Sequence, residues 1–552
     1  MEQLQSDHVG MNYGVVSESS YDWLRFQEEQ QMRLVSLANS RSRQTSFLSM
    51  DSWSHKSLIS RLWTDGVGML QNGVKGAQDS REYVIEYSVF QPRNVAAVHG
   101  IEDEARSQEQ FQYTVSNCIE AMQDLGIDLQ RILTGSSGSY FVYGTNEEIL
   151  GVFKPKDEEP YGPLSPKWTK WLHRTFFPCF FGRSCLIPNL GYICEAAASL
   201  LDRQLRTNLV PRTDTLVLDS MNFYDSRNKW FCGFQKRLQR KLGSFQLFLT
   251  DYTSAATFLQ KYPLPEALSP EMDTPPSLEE VETANFRWTS DTLRQFRLQL
   301  EKLIILDYIM RNTDRGLDNW MIRIEESLMG WQVHVAAIDN GLSFPWKHPD
   351  EWRSYPYGWL YLPLHITNRP FMRETREHFL RILLSSEWWE QSYLKFHALF
   401  RRDAEFTERM WKKQWSVLKG QAFNVLETLK HPSQGPLELI RRTRCLVLDE
   451  ILEVPAENPP MNIIGSAIDE NLDVASSPMI LSSVPEESIL LNFPQFPDRK
   501  THDEQDRQSF VEDPISELLS DMNRPTSQVT TKKVIVERLQ ICSSKPPVFT
   551  WC

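Results

Sequence analysis

Hydrophobic and polar residues follow two different patterns in the central part of the chain. Short apolar runs rich in β-branched and aromatic residues predict strands at YFVY, ILGVFK, DTLVLDS and SFQLFLT, since each run is bounded by turn residues. In DTLRQFRLQLEKLIILDYIMRN, which begins at Asp291, the apolar residues recur at helical spacing and predict one amphipathic helix. The patterns indicate an α+β protein in which a strand-rich lobe precedes a helical lobe.

The two ends of the chain differ in composition from this core. Residues 1–100 are polar and rich in Ser and Gln, with one short helix predicted near residues 21–38, and residues 452–552 are rich in Pro, Ser and acidic residues. Such segments bury too little apolar surface to offset the entropy lost on ordering, so both ends are expected to be disordered. The Pro-rich stretch 263–285 predicts a linker between an N-lobe, 101–262, and a helical C-lobe, 286–451.

Charge and cysteine content argue against several classes of function. The formal net charge is −13, whereas nucleic-acid-binding domains usually carry a basic surface, so no nucleic-acid partner is expected. The eight cysteines include no CxxC pair, which argues against a zinc site or a disulfide framework and fits a reducing compartment. No signal peptide is evident, and no run of about 20 apolar residues predicts a transmembrane helix.

The stretch GSSGSYFVYGTNEEILGVFKPK combines a turn of small residues with two strands. Small residues at Ser136, Ser137, Gly138 and Ser139 allow backbone N–H groups to approach phosphate oxygens. Lys154, near the end of the second strand, then reaches the phosphates as a point charge. By itself the pattern fits an ordinary hairpin loop equally well.

Two later stretches place acidic and amide side chains at the spacing of a phosphoryl-transfer site. In LDYIMRNTDRGLDNW, Asp314 and Asn319 stand at the offset of the catalytic aspartate and the metal-binding asparagine of protein kinases. In VHVAAIDNG, a strand ends at Asp339, where a carboxylate beside a glycine suits Mg²⁺. Asp318 is either a third carboxylate of this site or a turn former. Each stretch alone also fits a plain turn.

Together with VFKPKDEEPYGP, VPRT, GSFQLF and AIDNGLSFPWKHPDEWRSYP, these stretches resemble the type II phosphatidylinositol 4-kinases over roughly residues 110–430. The resemblance implies a bilobal, protein-kinase-like fold with ATP and Mg²⁺ between the lobes. It also implies transfer of the ATP γ-phosphate to the 4-hydroxyl of phosphatidylinositol. Alternative hypotheses are a protein kinase, or a catalytically weak or inactive kinase-like membrane adaptor in vesicle traffic.

The resemblance assigns roles by position. Asp314 is similar to the catalytic aspartate, and Lys154 to the lysine that contacts the ATP phosphates. Asn319 and Asp339 are similar to the metal ligands. The remaining ATP-binding residues that it implies are Ser136, Ser137, Gly138 and Ser139 in the phosphate loop and Gln246, Leu247 and Phe248 in the hinge.

Two positions near this site need separate treatment. The family is expected to have Asn where this chain has Leu317, so activity is expected, with an altered rate. A kinase lysine also needs an acidic partner, and Glu195 in GYICEAAASLLD is the candidate. A surface position on its helix would suit Glu195 equally well.

The stretch from Pro163 to Cys185 contains no acidic residue and combines basic with large aromatic side chains. Basic residues attract an anionic membrane surface, and aromatic rings enter the interfacial layer. The alternative is a core segment with solvated charges. In the family this region resembles a palmitoylated cysteine box, of which Cys179 is retained here, with Cys185 downstream. The predicted anchoring residues are Trp168, Trp171, Phe176, Phe177, Cys179, Phe180 and Phe181.

A second acid-free stretch, residues 226–244, contains Lys236, Arg240 and Lys241 and is either a solvated basic loop or a surface that steers inositol lipid towards the cleft. The predicted partners are therefore phosphatidylinositol and an anionic membrane surface, with trafficking proteins bound through the tails. The expected location is the cytosolic face of Golgi, trans-Golgi network or endosomal membranes, with plasma membrane or vacuole as further possibilities. The protein is expected to be peripheral.

Overall fold

The structure, a computed structural model, describes residues 84–90, 101–133, 138–159, 184–224, 237–265, 286–328, 330–349, 355–455 and 531–542. The helix predicted near residues 21–38, the aromatic residues between 163 and 183, and most of the linker 263–285 lie outside these ranges. Among the helices of the described ranges, none combines the length and the apolar character needed to cross a membrane.

An antiparallel sheet and two helices form the N-lobe. In chain order, the first elements are β1 (Val84–Tyr87), α1 (Ile101–Gln123), β2 (Gln130–Ile132), β3 (Ser139–Tyr143), β4 (Ile149–Pro155), α2 (Gly191–Leu205), β5 (Thr213–Ser220) and β6 (Gln239–Leu247). Five of the strands pair in the order β2-β3-β4-β6-β5. The four strands predicted from the apolar runs are therefore confirmed. Strand β6 begins before the predicted run, because Arg240 and Lys241 continue the ladder opposite β5.

Helix α2 packs between the N-lobe sheet and the helices of the C-lobe. The small side chains of Ala196, Ala197 and Ala198 are buried at this interface and allow close approach of neighbouring elements. Glu159 receives the first N–H groups of the helix: its carboxylate accepts from Gly191 at 3.1 Å and from Tyr192 at 2.8 Å. Because these N–H groups have no partner within the helix, Glu159 fixes the position at which α2 begins.

The C-lobe is largely helical, as expected, but it also includes two elements from the range 101–262 predicted for the N-lobe. Its elements in chain order are β7 (Thr253–Ser254), α3 (Ala255–Lys261), α4 (Ser290–Met310), β8 (Trp320–Ser327), β9 (Gly330–Ala337), α5 (Leu364–Thr367), α6 (Arg373–Leu383), α7 (Ser386–Phe400), α8 (Glu408–Lys430) and α9 (Pro436–Arg441). The two elements are β7 and α3, which belong to the C-lobe because β7 pairs with β8. Helix α4 confirms the predicted amphipathic helix. It begins with a capping box between Thr289 and Thr292 and ends at Arg311, which adopts a left-handed conformation.

Large aromatic residues fill the core of the C-lobe. Trp320, Trp359, Phe296, Phe379 and Phe396 are almost completely buried. The aromatic run near residues 355–362 mostly packs inside this lobe, since Tyr355, Tyr357 and Trp359 are buried, while Tyr361 is exposed. The α+β plan with a strand-rich lobe and a helical lobe is therefore confirmed.

The strands β7, β8 and β9 form a second sheet in that order, and a third sheet of β1, β11 and β10 joins segments from near the two ends of the chain to the C-lobe. Strand β10 (Cys445–Pro455) pairs antiparallel with β11 (Thr531–Ile541), and β11 pairs in parallel with β1. Glu537 of β11 is buried and contacts Lys419 of α8, which also lies 2.6 Å from Asp449. Beside β1, Phe90 is buried against Trp389, with ring centroids 4.2 Å apart.

The predicted disorder of both ends is therefore wrong for β1 and β11, and the ordered C-lobe extends past residue 451 to the end of β10. The β-branched run Val-Ile-Val within TKKVIVERLQI is a strand signal that composition over the whole tail conceals. The buried cation of Lys419 requires carboxylate partners, and the tail supplies one of them.

Candidate active site

Lys154 lies between two carboxylates where the lobes meet. Its Nζ is 2.6 Å from Glu195 Oε1 and also donates to Asp339 Oδ1. The other oxygen of Glu195 accepts the backbone N–H of Asn340 at 3.0 Å. One buried glutamate on α2 therefore joins strand β4 to the turn that follows β9. Of the two positions considered for Glu195, the structure shows the internal one.

The electrostatics keep Lys154 and Asp339 charged. Burial alone would lower the pKa of Lys154, but the attraction of Asp339 and Glu195 outweighs it and the pKa is raised. Conversely, the ammonium of Lys154 lowers the pKa of Asp339 below its usual range. Both groups are therefore ionised at neutral pH. The ammonium has three N–H bonds, of which Glu195 and Asp339 take two, so the third is directed to neither of these carboxylates.

Arg315 anchors the loop between α4 and β8. Its side chain is completely buried, and its Nε lies 2.9 Å and 3.0 Å from the two oxygens of Asp307. Its guanidinium also donates to the carbonyl oxygens of Asn319 and Ile338 and to the side chain of Asn340. This single residue ties the loop both to α4 and to the turn at Asp339.

Asp314 and Asn319 both lie on this anchored loop and are joined by a hydrogen bond. The side-chain amide of Asn319 donates to the carbonyl oxygen of Asp314 at 2.6 Å, which leaves the amide oxygen as the group available for a cation. The backbone N–H of Asp314 donates to Asn312 at 2.8 Å. Asp314 is exposed.

Asp318 belongs electrostatically to the same group. Partial desolvation raises its pKa, and the charges of Asp339 and Asp314 raise it further. The carboxylates are therefore close enough for their charges to interact, and oxygen donors such as these and the amide oxygen of Asn319 are the kind that a hard divalent cation prefers. Within the described ranges no group of three or more His, Cys, Asp or Glu side chains suffices to hold a metal ion. Mg²⁺ commonly uses one or two carboxylates together with substrate phosphates.

Asp339 adopts a left-handed backbone conformation, with φ of 53°. This conformation is costly for a residue other than glycine and is retained where the surroundings enforce it. The surroundings here are the Lys154 contact on its side chain and the two hydrogen bonds of buried Asn340, to Glu195 and from Arg315. About half of the Asp339 side chain remains exposed towards the cleft.

The structure reveals functional positions that the sequence did not indicate. Arg315, Asp307 and Asn340 are buried and shape the loops, and Glu159 positions α2. Burial raises the pKa of Asp307 to about 6 although Arg315 opposes this, and burial raises the pKa of Glu159 to about 7. The sequence carries a weak signal for the pair of Asp307 and Arg315. Asp307 lies near the end of the apolar face of α4, and a charged residue that is buried there needs a partner of opposite charge.

The expected hinge residues lie at the end of β6: Gln246 and Leu247 are its last two residues, and Phe248 follows the strand. Gln246 pairs with Val152 and is buried, and the backbone N–H of Phe248 donates to Leu150 at 2.9 Å. Leu247 packs partly against the N-lobe core. Gly138 and Ser139 lie at the start of β3, whereas Ser136 and Ser137 lie outside the described residues.

Leu317, the departure from the expected pattern, packs partly against the C-lobe core. Its carbonyl oxygen accepts the N–H of Ala256 at 3.1 Å. The side chain therefore contributes to packing, and the oxygen donors of Asp314 and Asn319 are retained beside it.

The structure corrects the expectation for Lys241 and reduces the two candidate acylation sites, Cys179 and Cys185, to one. Lys241 is not a solvated or steering lysine: it is buried, 2.8 Å from Glu158 and 3.0 Å from Asp157. Cys185 is buried beside Leu186 and Tyr355, which leaves Cys179 as the acylation candidate. The predicted anchoring residues Trp168, Trp171, Phe176, Phe177, Cys179, Phe180 and Phe181 lie outside the described residues.

Comparison with known proteins agrees with this geometry. The model of the family "Phosphatidylinositol 3- and 4-kinase" matches residues 135–424. The chain is 48% identical to phosphatidylinositol 4-kinase LSB6 of Saccharomyces cerevisiae over 100% of both chains. It is 40% identical to phosphatidylinositol 4-kinase type 2-beta of Danio rerio, and this match covers 58% of this chain and 66% of the Danio rerio protein. It is 38% identical to the type 2-alpha protein of Danio rerio, over 63% and 78% of the two chains.

Among solved structures, the Golgi casein kinase covers 79% of this chain and 96% of its own at 14% identity, with a TM-score of 0.32, which is too low to support an argument. The family match spans more than half of the chain and includes Lys154, Glu195, Asp314, Asn319 and Asp339. By these matches, the protein belongs to the phosphatidylinositol 3- and 4-kinase family.

Proposed function

We propose that the protein transfers the γ-phosphoryl group of ATP to the 4-hydroxyl of phosphatidylinositol, as the names of its relatives state for those proteins. The observation that carries the proposal is the convergence of Lys154, Glu195 and Asp339 with the loop that holds Asp314 and Asn319. The geometry of the site supports phosphoryl transfer in general. The choice of the 4-hydroxyl as acceptor rests on the relatives.

In the proposed reaction, the 4-hydroxyl oxygen forms a bond to the γ-phosphorus while the bond from that phosphorus to the β,γ-bridging oxygen breaks. ADP leaves with the electron pair of that bond. Asp314 orients the hydroxyl and accepts its proton, which passes to solvent. Lys154 contributes a positive charge to the phosphates and is held in place by Glu195. The contribution of the protein is mainly positioning and charge stabilisation.

Asp339 and the amide oxygen of Asn319 are the residues that would hold Mg²⁺, with Asp318 nearby. When bound, the ion neutralises charge on the ATP phosphates. Asp339 also remains in contact with Lys154, so the lysine and the metal site share one carboxylate. Arg315 donates hydrogen bonds to the carbonyl oxygen of Asn319 and to the side chain of Asn340, and so fixes the position of one relative to the other.

We further propose that the protein acts on the cytosolic face of membranes, with Golgi and endosomal membranes as the expected sites. The supporting observation is the run of basic and aromatic residues from Trp168 to Phe181, which includes Cys179. Partners bound through the tails, including trafficking proteins, belong to the same proposal. Replacing Phe180 and Phe181 by Ser should reduce flotation with anionic liposomes, while activity on detergent-dispersed lipid is retained. Unchanged flotation would contradict the anchor.

The decisive experiment uses the full chain, phosphatidylinositol liposomes and ATP with either Mg²⁺ or Mn²⁺, followed by separation of product headgroups by isomer. We expect the 4-phosphate with Mg²⁺. Asp314→Asn should lower kcat by at least about 100-fold, whereas Asp291→Asn, at the exposed start of α4, should not. A 3-phosphate or 5-phosphate would contradict the assigned position. An absence of product from folded, ATP-binding protein would favour the adaptor hypothesis.

A further inference from the structure

A buried ion pair lies behind the start of β3. The carboxylate of Glu158 is completely buried, and Lys241 donates to its Oε1 at 2.8 Å. The hydroxyl of Tyr140 donates to both oxygens of the same carboxylate, at 2.9 Å each, and accepts the backbone N–H of Tyr224 at 2.8 Å. The ring of Phe223 lies beside the ammonium of Lys241, 5.3 Å from its centroid. This pair is not among the residues to which the reaction above assigns a role.

The same glutamate contacts the residue that precedes β3. The backbone N–H of Gly138 donates to the carbonyl oxygen of Glu158 at 3.0 Å. A Cβ atom at position 138 would lie 2.0 Å from Glu158 Oε2 and 2.7 Å from Glu158 Cβ. Gly138 is therefore in contact with both the backbone and the carboxylate of Glu158, and only glycine fits there. The position of Gly138 is set by where that carboxylate lies.

The carboxylate itself has little freedom. A buried charge is costly unless it is paired and hydrogen-bonded, and here donors from β3 and β6 hold it from two sides. Lys241 is in turn held by Asp157 at 3.0 Å and by the carbonyl oxygen of Tyr224 at 3.3 Å. A shift of Glu158 would break several of these contacts together, so the network locates Gly138 with little tolerance.

We propose that Glu158 is a positioning residue for ATP: through its ion pair with Lys241 it holds Gly138 where the backbone before β3 approaches the ATP phosphates. The proposal rests on the proposed kinase function, in which the small residues before β3 contact phosphate. Glu158 does not touch the nucleotide. Its loss should weaken ATP binding and leave the chemical step and lipid binding nearly unchanged.

A second buried ion pair supplies the matched control. Glu537 and Lys419 are buried to the same degree as Glu158 and Lys241, and each lysine keeps a second carboxylate, Asp449 for Lys419 and Asp157 for Lys241. Glu158→Gln and Glu537→Gln therefore make the same chemical change in lysine–glutamate pairs that are buried to a similar degree. Only the first of these pairs contacts Gly138.

The experiment measures steady-state kinetics and the dissociation constant of ATP for the full chain carrying E158Q or E537Q. E158Q should raise the KM and the dissociation constant for ATP by about tenfold, with kcat and the KM for lipid changed by less than about threefold, as is typical when a supporting residue is lost. E537Q should alter the thermal midpoint to a similar extent but leave ATP binding unchanged. Unchanged ATP binding in E158Q, or equal changes in both variants, would overturn the proposal.

A milder variant covers the case in which E158Q does not fold. Tyr140→Phe removes one donor to Glu158 and keeps the ring, so it should raise the KM for ATP in the same direction by about two- to fivefold. No increase in folded Tyr140→Phe would overturn the proposal. Failure of the kinase function itself would be recognised separately, because the wild-type chain would then form no phosphorylated lipid.

Discussion

Arg315 offers the strongest test of how the catalytic loop is supported. Arg315→Met keeps much of the side-chain volume but removes the guanidinium that pairs with Asp307 and holds three loop acceptors. Removing one member of a buried ion pair costs about 3–5 kcal/mol, because the other charge stays buried without its partner. The pKa of Asp307 is already raised to about 6, and without Arg315 it should rise further.

The pH dependence follows from this shift. A buried carboxyl whose pKa is raised in the folded state lowers stability as the pH rises from its unfolded value to its folded value. For the wild-type chain that window lies between about pH 4 and pH 6 for Asp307. In Arg315→Met the window should extend above neutrality. The variant should therefore lose thermal stability between pH 6 and pH 8, where the contribution of Asp307 in the wild-type chain is constant.

The assay is thermal unfolding of both proteins at pH 6, 7 and 8, with lipid kinase activity measured in parallel. Arg323→Met is the matched control, because Arg323 forms an exposed pair with Glu325 at 3.2 Å, and such surface pairs contribute only about 0–1 kcal/mol. Adding Asp307→Asn to Arg315→Met should recover part of the stability, since neither charge then remains buried. An Arg315→Met protein with wild-type stability and the wild-type pH profile would refute the reasoning.

Two further predictions concern the contacts around the site. Glu195→Gln should lower kcat/KM by about 100-fold, because Lys154 and Asn340 both lose the carboxylate that positions them. Steady-state kinetics on lipid vesicles at varied ATP concentration measure this change. Deleting residues 531–552 should lower the thermal midpoint and increase proteolysis of the C-lobe, because β10 loses its partner strand and Lys419 loses Glu537.

The substitution and the deletion each have a matched control: a Glu→Gln change elsewhere and a shorter deletion. Glu377→Gln changes an exposed glutamate paired with Arg373 at 2.6 Å and should leave kcat/KM unchanged. A Glu195→Gln protein as active as that control would show that the Lys154 pair is dispensable. Deleting residues 543–552 leaves β11 complete and should preserve the thermal midpoint. If both deletions behave alike, β11 does not contribute to the stability of the C-lobe.

The local pattern of the chain predicts much of the fold. Strands β3, β4 and β5 and helix α4 occur where hydrophobic periodicity places them, because periodicities of two and of about 3.6 residues are properties of neighbouring residues. The turn after β9 and the loop after α4 also occur at the predicted polar stretches. Their sequence spacing was enough to select candidates, although each stretch alone also fits an ordinary turn.

Other features were decided only by the tertiary structure. The sequence predicts a solvated or steering basic stretch around Lys241 and no role for Arg315, yet both are buried in ion pairs. The tail appeared too polar to fold, yet β11 completes a sheet whose buried Glu537 meets Lys419 across 118 residues of sequence. Whether a charge is solvated or paired depends on which distant residue the fold brings next to it. Periodicity and composition record only near neighbours, so this information exists only once the chain has folded.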